Sequence, residues 1–219
     1  MQAIVVPVTA FQQNCSILWD EHTKRAAVVD PGGDLDRVLD AVAARGLSLE
    51  SILLTHAHVD HAAAAAELAT LKSIPIEGPH PGDRFWIEAL PESARKYGFP
   101  PARSFEPDRW LAQGDTVTVG GESLEVLHCP GHTPGHVVFV HQGLRFAVVG
   151  DVLFSGSIGR TDFPGGDQAA LVRSIRETLF PLGDEIRFVP GHGPMSTFGQ
   201  ERRTNPFVGD RLFARGTVT

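Results

Sequence analysis

Thr55-His56-Ala57-His58-Val59-Asp60-His61 places three imidazoles and a carboxylate within seven consecutive residues, directly after the apolar run Ser51 to Thr55. A solvated polar loop would account for one such histidine but not for this crowding. In an extended segment His56 and His58 share a face, while a turn into the following helix brings Asp60 and His61 to a neighbouring point. That spacing suits two adjacent metal ions better than one. Neutral imidazoles and carboxylates are ligands for Zn, Fe or Mn, and the residue types alone do not choose among them.

Three more candidate sites follow apolar runs later in the chain: Pro130-Gly131-His132, Gly150-Asp151 and Pro190-Gly191-His192. Loops that follow strands gather functional groups at one edge of a sheet, so the four segments are expected to meet. His22, His80, His128 and His141 lie in turns, in a surface segment or within strands, and none is expected to bind metal. His136 either steadies the loop bearing His132 or has a packing role. Cys129 precedes His132, but a zinc knuckle needs a second such pair, so Cys15 and Cys129 are expected to be structural.

The segments THAHVDH (55–61), CPGHTPGH (129–136), GD (150–151) and PGHG (190–193) together resemble the metallo-β-lactamase superfamily, over nearly the whole chain. The resemblance implies a four-layer αββα sandwich and a site for two divalent metal ions, zinc first, with iron or manganese as the other options. It assigns His56, His58 and His132 to one ion, Asp60, His61 and His192 to the other, and Asp151 to both. It also implies hydrolysis by a metal-bridging hydroxide that Asp60 helps to orient, since bound metal lowers the pKa of water from 15.7 to about 7. Asp30, in Asp30-Pro31-Gly32-Gly33, either fixes a histidine tautomer from behind the ligands or caps a turn.

The stretch Phe154-Ser155-Gly156-Ser157-Ile158-Gly159-Arg160-Thr161-Asp162-Phe163 is similar to the glyoxalase II and persulfide dioxygenase branch, especially the compact bacterial glyoxalase II-like proteins. The expected substrate is a small-molecule thioester, a hydroxyacylglutathione such as S-lactoylglutathione. Arg160 either pairs with a substrate carboxylate or forms an ion pair with a nearby aspartate. Long glyoxalase II enzymes carry a carboxy-terminal helical domain that grips glutathione, whereas only 27 residues follow His192 in this 219-residue chain. Two other readings stay open: a mononuclear Fe(II) persulfide dioxygenase and a non-catalytic module that binds thiol conjugates.

The elements that must position these groups are legible in outline. Strands are expected at 3–8, 15–20, 26–30, 51–55, 74–77, 116–119, 123–128, 137–141, 145–149 and 186–189. Helices are expected at 35–46, where Leu35, Val38, Leu39 and Val42 recur at helical spacing, at 62–71, near 85–96 and at 167–179. Residues 78–108, rich in Pro, Gly, Arg and Phe, read as a surface excursion at a pocket mouth, and the chain ends in a short tail.

Composition sets the outer bounds. Hydrophobic residues make up 42% and charged residues 21%, an ordinary globular balance, so the expectation is a single domain over 1–219. A net charge of −7 disfavours nucleic acid as a partner, because phosphate binding draws on clustered Lys and Arg. Two cysteines and an amino terminus without a basic, apolar leader point to the cytoplasm, and no run approaches the roughly 20 apolar residues of a membrane span.

Overall fold

A computed structural model describes residues 1–213; the last six residues of the expected carboxy-terminal tail lie outside the described residues. The first sheet holds β1 (Gln2–Val8), β2 (Gln13–Trp19) and β3 (Arg25–Val29). After α1 (Leu35–Ala43) come β4 (Ser48–Leu53), the single turn α2 (Val59–Ala62), α3 (Ala65–Lys72) and β5 (Ile76–Glu77). Its strand order is β1-β2-β3-β4-β5, antiparallel through β3 and parallel from there on. The parallel pairs need crossovers, which α1 and α3 supply.

Residues 78–108 carry α4 (Arg84–Glu88) and α5 (Leu90–Tyr97). The second sheet contains β6 (Thr116–Val119), β7 (Glu122–His128), β8 (Val137–His141) and β9 (Phe146–Gly150). A small hairpin, β10 (Leu153–Phe154) and β11 (Ser157–Ile158), leads to α6 (Gln168–Arg173). Then β12 (Arg187–Pro190), β13 (Ser196–Thr197) and α7 (Phe198–Thr204) complete the fold. The second sheet runs β13-β12-β9-β8-β7-β6, with β9 and β12 parallel.

Alternation along the strands creates four layers. Leu18, Ala27, Val29 and Leu53 of the first sheet pack against Val126, Phe139 and Val148 of the second, forming the seam between sheets. Their neighbours face outward: Ile17, Val28 and Ile52 meet Val38 of α1 and Leu68 of α3. On the far side, Val138, Val140 and Val149 meet Leu171 of α6 and Ile175 beyond it. Because successive side chains point to opposite faces, strands covered on both sides read as continuous apolar runs. This is the αββα sandwich. Each fully buried Val, Leu or Phe contributes roughly 1.5–3 kcal/mol.

Three helices depart from the sequence expectation, and the one expected near 85–96 is broken at Ala89, just before Pro91, into α4 and α5. The helix expected over 62–71 starts earlier, at Val59, and breaks after Ala62; the Ala64 N–H is drawn off to the Pro31 carbonyl at 3.1 Å. The helix expected over 167–179 is regular only to Arg173 and continues as a wider π turn over Ser174–Leu179, with the Ser174 hydroxyl donating to the Pro130 carbonyl at 2.8 Å. The β10–β11 hairpin, β13 and α7 were not expected, being short or polar. No helix among the described residues is long and apolar enough to cross a membrane.

Candidate metal centre

The four histidine- and aspartate-bearing segments leave the carboxyl ends of β4, β7, β9 and β12, all at one edge of the sandwich. Gly32 lets the β3 end approach the 58–61 turn: a Cβ there would lie 1.5 Å from the Asp60 carbonyl oxygen. Gly150 (φ +49°) turns the chain so that Asp151 enters the site, beneath the ring of His136. The β1–β2 hairpin clasps the fourth segment from outside. Asn14 donates its side-chain amide to the carbonyls of Pro190 (3.0 Å) and Gly193 (2.9 Å), and its backbone N–H to Gly191 (2.8 Å).

Two triads result, His56/His58/His132 and Asp60/His61/His192, each with one ligand atom per residue clustered within 4.8 Å. Asp151 lies between them. Its Oδ2 is 3.5 Å from His132 Nε2 and 3.8 Å from His192 Nε2, and its Oδ1 is 3.4 Å from His61 Nε2. Asp60 Oδ2 is 3.1 Å from His192 Nε2 and 3.7 Å from His61 Nε2. Ligand atoms held at about 2.0–2.1 Å by one tetrahedral ion sit roughly 3.4 Å apart, so these spacings match a metal site.

The tautomers point the same way. His132 Nδ1 donates to the Arg160 carbonyl (2.7 Å), His192 Nδ1 to the Phe11 carbonyl (3.1 Å) and His61 Nδ1 to Asp30 Oδ2 (2.9 Å). Thr55 gives its hydroxyl proton to Asp30 Oδ2 (2.6 Å), so its oxygen accepts from His56 Nδ1 (3.0 Å). Four imidazoles thus have Nδ1 engaged from behind and turn Nε2 inward. Among the described residues the buried His56 Nε2, His61 Nε2 and Asp151 Oδ1 have no hydrogen-bond partner, and His132 Nε2 lies only 2.9 Å from His58 Nδ1. Acceptors crowded together without donors fit a cation.

Charge agrees with this. Burial alone disfavours imidazolium, and it holds His58 down to about 3 and lowers His56 and His132. At His61 burial acts the same way, yet Asp151 and Asp60 outweigh it and raise the group. Burial also works against an ionised Asp151, but the surrounding His61, His132 and His192 hold its carboxyl far below the usual range. The carboxylates therefore attract positive charge into the centre. Asp30 lies close to His56 and His61 as well, but both of its oxygens are taken by Thr55 and His61.

Support comes from residues that the sequence did not single out. Asp83, fully buried just before α4, accepts from the backbone N–H of Ala57 (3.0 Å) and of Gly135 (2.6 Å) and from the Thr133 hydroxyl (2.9 Å). It ties the first ligand segment to the second, and burial pushes its carboxyl up to about 6. The Gln13 amide lies 3.4 Å from His61 Nδ1. His136 does not hold the His132 loop through a side-chain hydrogen bond: its Nε2 accepts from the Asp151 backbone N–H (3.0 Å), and its ring stacks on His56.

A cavity of about 630 Å³ opens above the two triads. Its wall is aromatic: Phe11 from the first hairpin, Trp86 and Tyr97 from the 78–108 segment, Phe154 of β10 and Phe163. Arg160 also lines it, with its guanidinium bonded twice to Asp162 (2.6 and 2.5 Å). The free cysteines, Cys15 and Cys129, are fully buried, and burial raises both thiols.

Comparison with known proteins gives a consistent picture. A family model for the metallo-beta-lactamase superfamily matches residues 8–192. A Haemophilus influenzae protein named hydroxyacylglutathione hydrolase GloC is 47% identical, over 96% of this chain and all of that one. Among solved structures, the BLEG-1 B3 metallo-beta-lactamase superposes with a TM-score of 0.87 at 37% identity, covering 94% of this chain and 99% of that one. TTHA1623, solved in a di-iron-bound form, gives 0.85 at 37% identity, covering 93% and 99%.

Proposed function

This chain belongs to the metallo-beta-lactamase superfamily, and we propose that it is a binuclear metal-dependent hydrolase of thioesters, with a hydroxyacylglutathione such as S-lactoylglutathione as substrate. His56, His58 and His132 would hold one divalent ion, Asp60, His61 and His192 the other, and Asp151 would serve both. The observation that carries this reading is the position of Asp151, with one carboxylate 3.4–3.8 Å from ligand nitrogens of both triads. Zinc is the first expectation for both ions; iron or manganese suits the same ligands.

When bound, such ions lower the pKa of water to about 7 and polarise the carbonyl under attack. The chain's own groups do the rest. Asp60 Oδ2, 3.1 Å from His192 Nε2, orients the attacking water. Asp30 keeps the protons of His61 and, through Thr55, of His56 on Nδ1, away from the centre. The aromatic wall excludes bulk water from the thioester. In the overall reaction a water oxygen bonds to the thioester carbon, the carbon–sulfur bond breaks, and a carboxylic acid and a thiol leave. The buried thiols of Cys15 and Cys129 take no part.

The test is to purify the protein without added metal, count metals per chain, and assay S-lactoylglutathione cleavage beside glutathione persulfide oxidation. Two metals per chain with release of free glutathione is the expected result. Oxygen uptake and sulfite formation with a single iron, and no thioester cleavage, would overturn the proposal in favour of a dioxygenase.

A further inference from the structure

The wall of the cavity reaches down to the ligand imidazoles on both sides. Beside the first triad, Trp86 and Phe163 meet the ring of His58 edge-on, at centroid distances of 4.5 and 5.0 Å. Beside the second, Phe154 lies 6.4 Å from His192, and Phe11 both accepts from that histidine and packs against Tyr97 at 6.3 Å. A carbonyl centred over Asp151 therefore has aromatic surface on either flank. An acyl substituent would meet one side, and the carbons next to sulfur the other.

Charge recognition is sparse by comparison. Among the described residues, Arg160 is the sole Lys or Arg lining the cavity. Its guanidinium lies over Phe163, 4.2 Å from the ring centroid, and Asp162 engages it through two hydrogen bonds. Asp162 takes the Nε–Nη2 edge of the guanidinium, so its negative charge already offsets this cation where a substrate carboxylate would approach. Lys96 is drawn over the ring of Tyr97 (5.1 Å) and does not line the cavity. Glutathione carries two carboxylates, and among the described residues the cavity lining offers no second Lys or Arg to receive them.

We propose that this site selects thioesters by the apolar groups flanking the reacting carbonyl, preferring 2-hydroxyacyl groups with a bulky or aromatic substituent, and reads the charged remainder of the thiol carrier only weakly. The proposal deepens the thioester reading and rests on it for turnover. In a hydrophobic pocket even one added methylene changes selectivity by about tenfold or more, so a phenyl group in place of a methyl gives a measurable contrast. Exposed ion pairs such as Arg160–Asp162 hold their partners weakly, so what weakens carrier recognition is the single cation, already shared, rather than a strong lock.

The experiment has two arms on the metal-loaded protein. In the first, kcat/KM is compared for S-lactoylglutathione, S-mandeloylglutathione and the same two acyl groups on N-acetylcysteamine, a neutral carrier. Mandeloyl should exceed lactoyl by about tenfold or more on either carrier, with the two carriers within about threefold of each other. In the second, the thioethers S-benzylglutathione, S-methylglutathione and S-benzyl-N-acetylcysteamine are titrated against tryptophan fluorescence. Trp86 is the one tryptophan of three that lines the cavity, so Trp86→Phe identifies its share of the signal.

Both benzyl thioethers should bind about tenfold or more tighter than the methyl one. A carrier preference above about tenfold for glutathione, or equal binding of methyl and benzyl glutathione thioethers, overturns the inference. Absence of turnover with every thioester would instead overturn the hydrolase reading, and the binding arm would still decide this one.

Discussion

Asp30 Oδ2 lies 2.9 Å from Nδ1 of His61, and the same oxygen takes the Thr55 hydroxyl proton at 2.6 Å. One carboxylate from the end of β3 thereby orients two imidazoles of two different triads. Outer partners of this kind raise ligand basicity and hold the ring in place.

Asp30→Ala should therefore weaken metal binding by about 10- to 100-fold. Competition against a chelator checks this, with loss expected for both ions because His56 and His61 serve different triads. Unchanged affinity for both would show that the two rings are held by packing alone.

His61→Ala removes a proposed ligand rather than its support. The expected result is a drop from two metals toward one per chain and a fall in thioester hydrolysis of at least about 100-fold, beyond what loss of an outer partner costs. Metal analysis and a thiol-release assay on the same sample measure both. An unimpaired variant would count against a two-metal mechanism.

Chelation should destabilise the fold at the carboxyl ends of β4, β9 and β12, since ions that bind only the native state stabilise it by mass action. Without the ions, only the imidazoles around Asp151 are left to offset its charge. A lower Tm in excess chelator, restored by adding metal, is the expected reading, and hydrogen exchange should rise first in 55–61 and 190–193.

The buried carboxyl of Asp83 gives a pH signature. Its pKa in the folded chain is raised, to about 6 from 3.8, so the folded state binds the proton more tightly than the unfolded one. That contribution to stability is complete below about pH 3.8 and is lost as pH rises through about 6. The shift corresponds to about 3 kcal/mol across this window. The difference in stability between the parent chain and Asp83→Asn, measured by denaturant titration from pH 4 to 7, should change with that sign; a flat difference would refute it. The asparagine also turns an amide NH2 toward the N–H of Ala57 or Gly135, so the variant should be the less stable one near pH 4.

Gly32→Ala would place a methyl 1.5 Å from the Asp60 carbonyl oxygen, an overlap that the 58–61 turn can relieve only by moving. A cost of about 3 kcal/mol or more is expected, a fall in Tm of roughly 6–12 °C for a chain of this size. Thermal unfolding checks the magnitude, and weaker occupancy of the Asp60/His61/His192 position would show that the turn had shifted.

Much of this architecture is carried by local pattern. The apolar runs at 26–30, 137–141 and 145–149 are strands covered on both faces, and a continuous apolar stretch bounded by Asp, Gly or Pro announces such a strand without reference to anything distant. The crowding of His56, His58, Asp60 and His61 is equally local: a seven-residue segment states its own chemistry. The helix expected over 62–71 shows the limit. Alanine propensity favours helix throughout, yet a bond from Ala64 to Pro31, more than thirty residues away, breaks it.

What tertiary structure alone decided is which groups hold the chemistry in place. Asp83 reaches Ala57, Thr133 and Gly135, Asn14 reaches Pro190 and Gly193, and Phe11 and Arg160 act on His192 and His132 through their backbone carbonyls. A backbone carbonyl is the same in every residue, so no side-chain pattern marks it as a partner, and a lone aspartate or asparagine in a loop reads as an ordinary turn former. The aromatic wall is likewise gathered from segments far apart in the chain. Local order comes from short-range periodicity, whereas proton placement and pocket shape come from contacts that exist only once the two sheets have closed on each other.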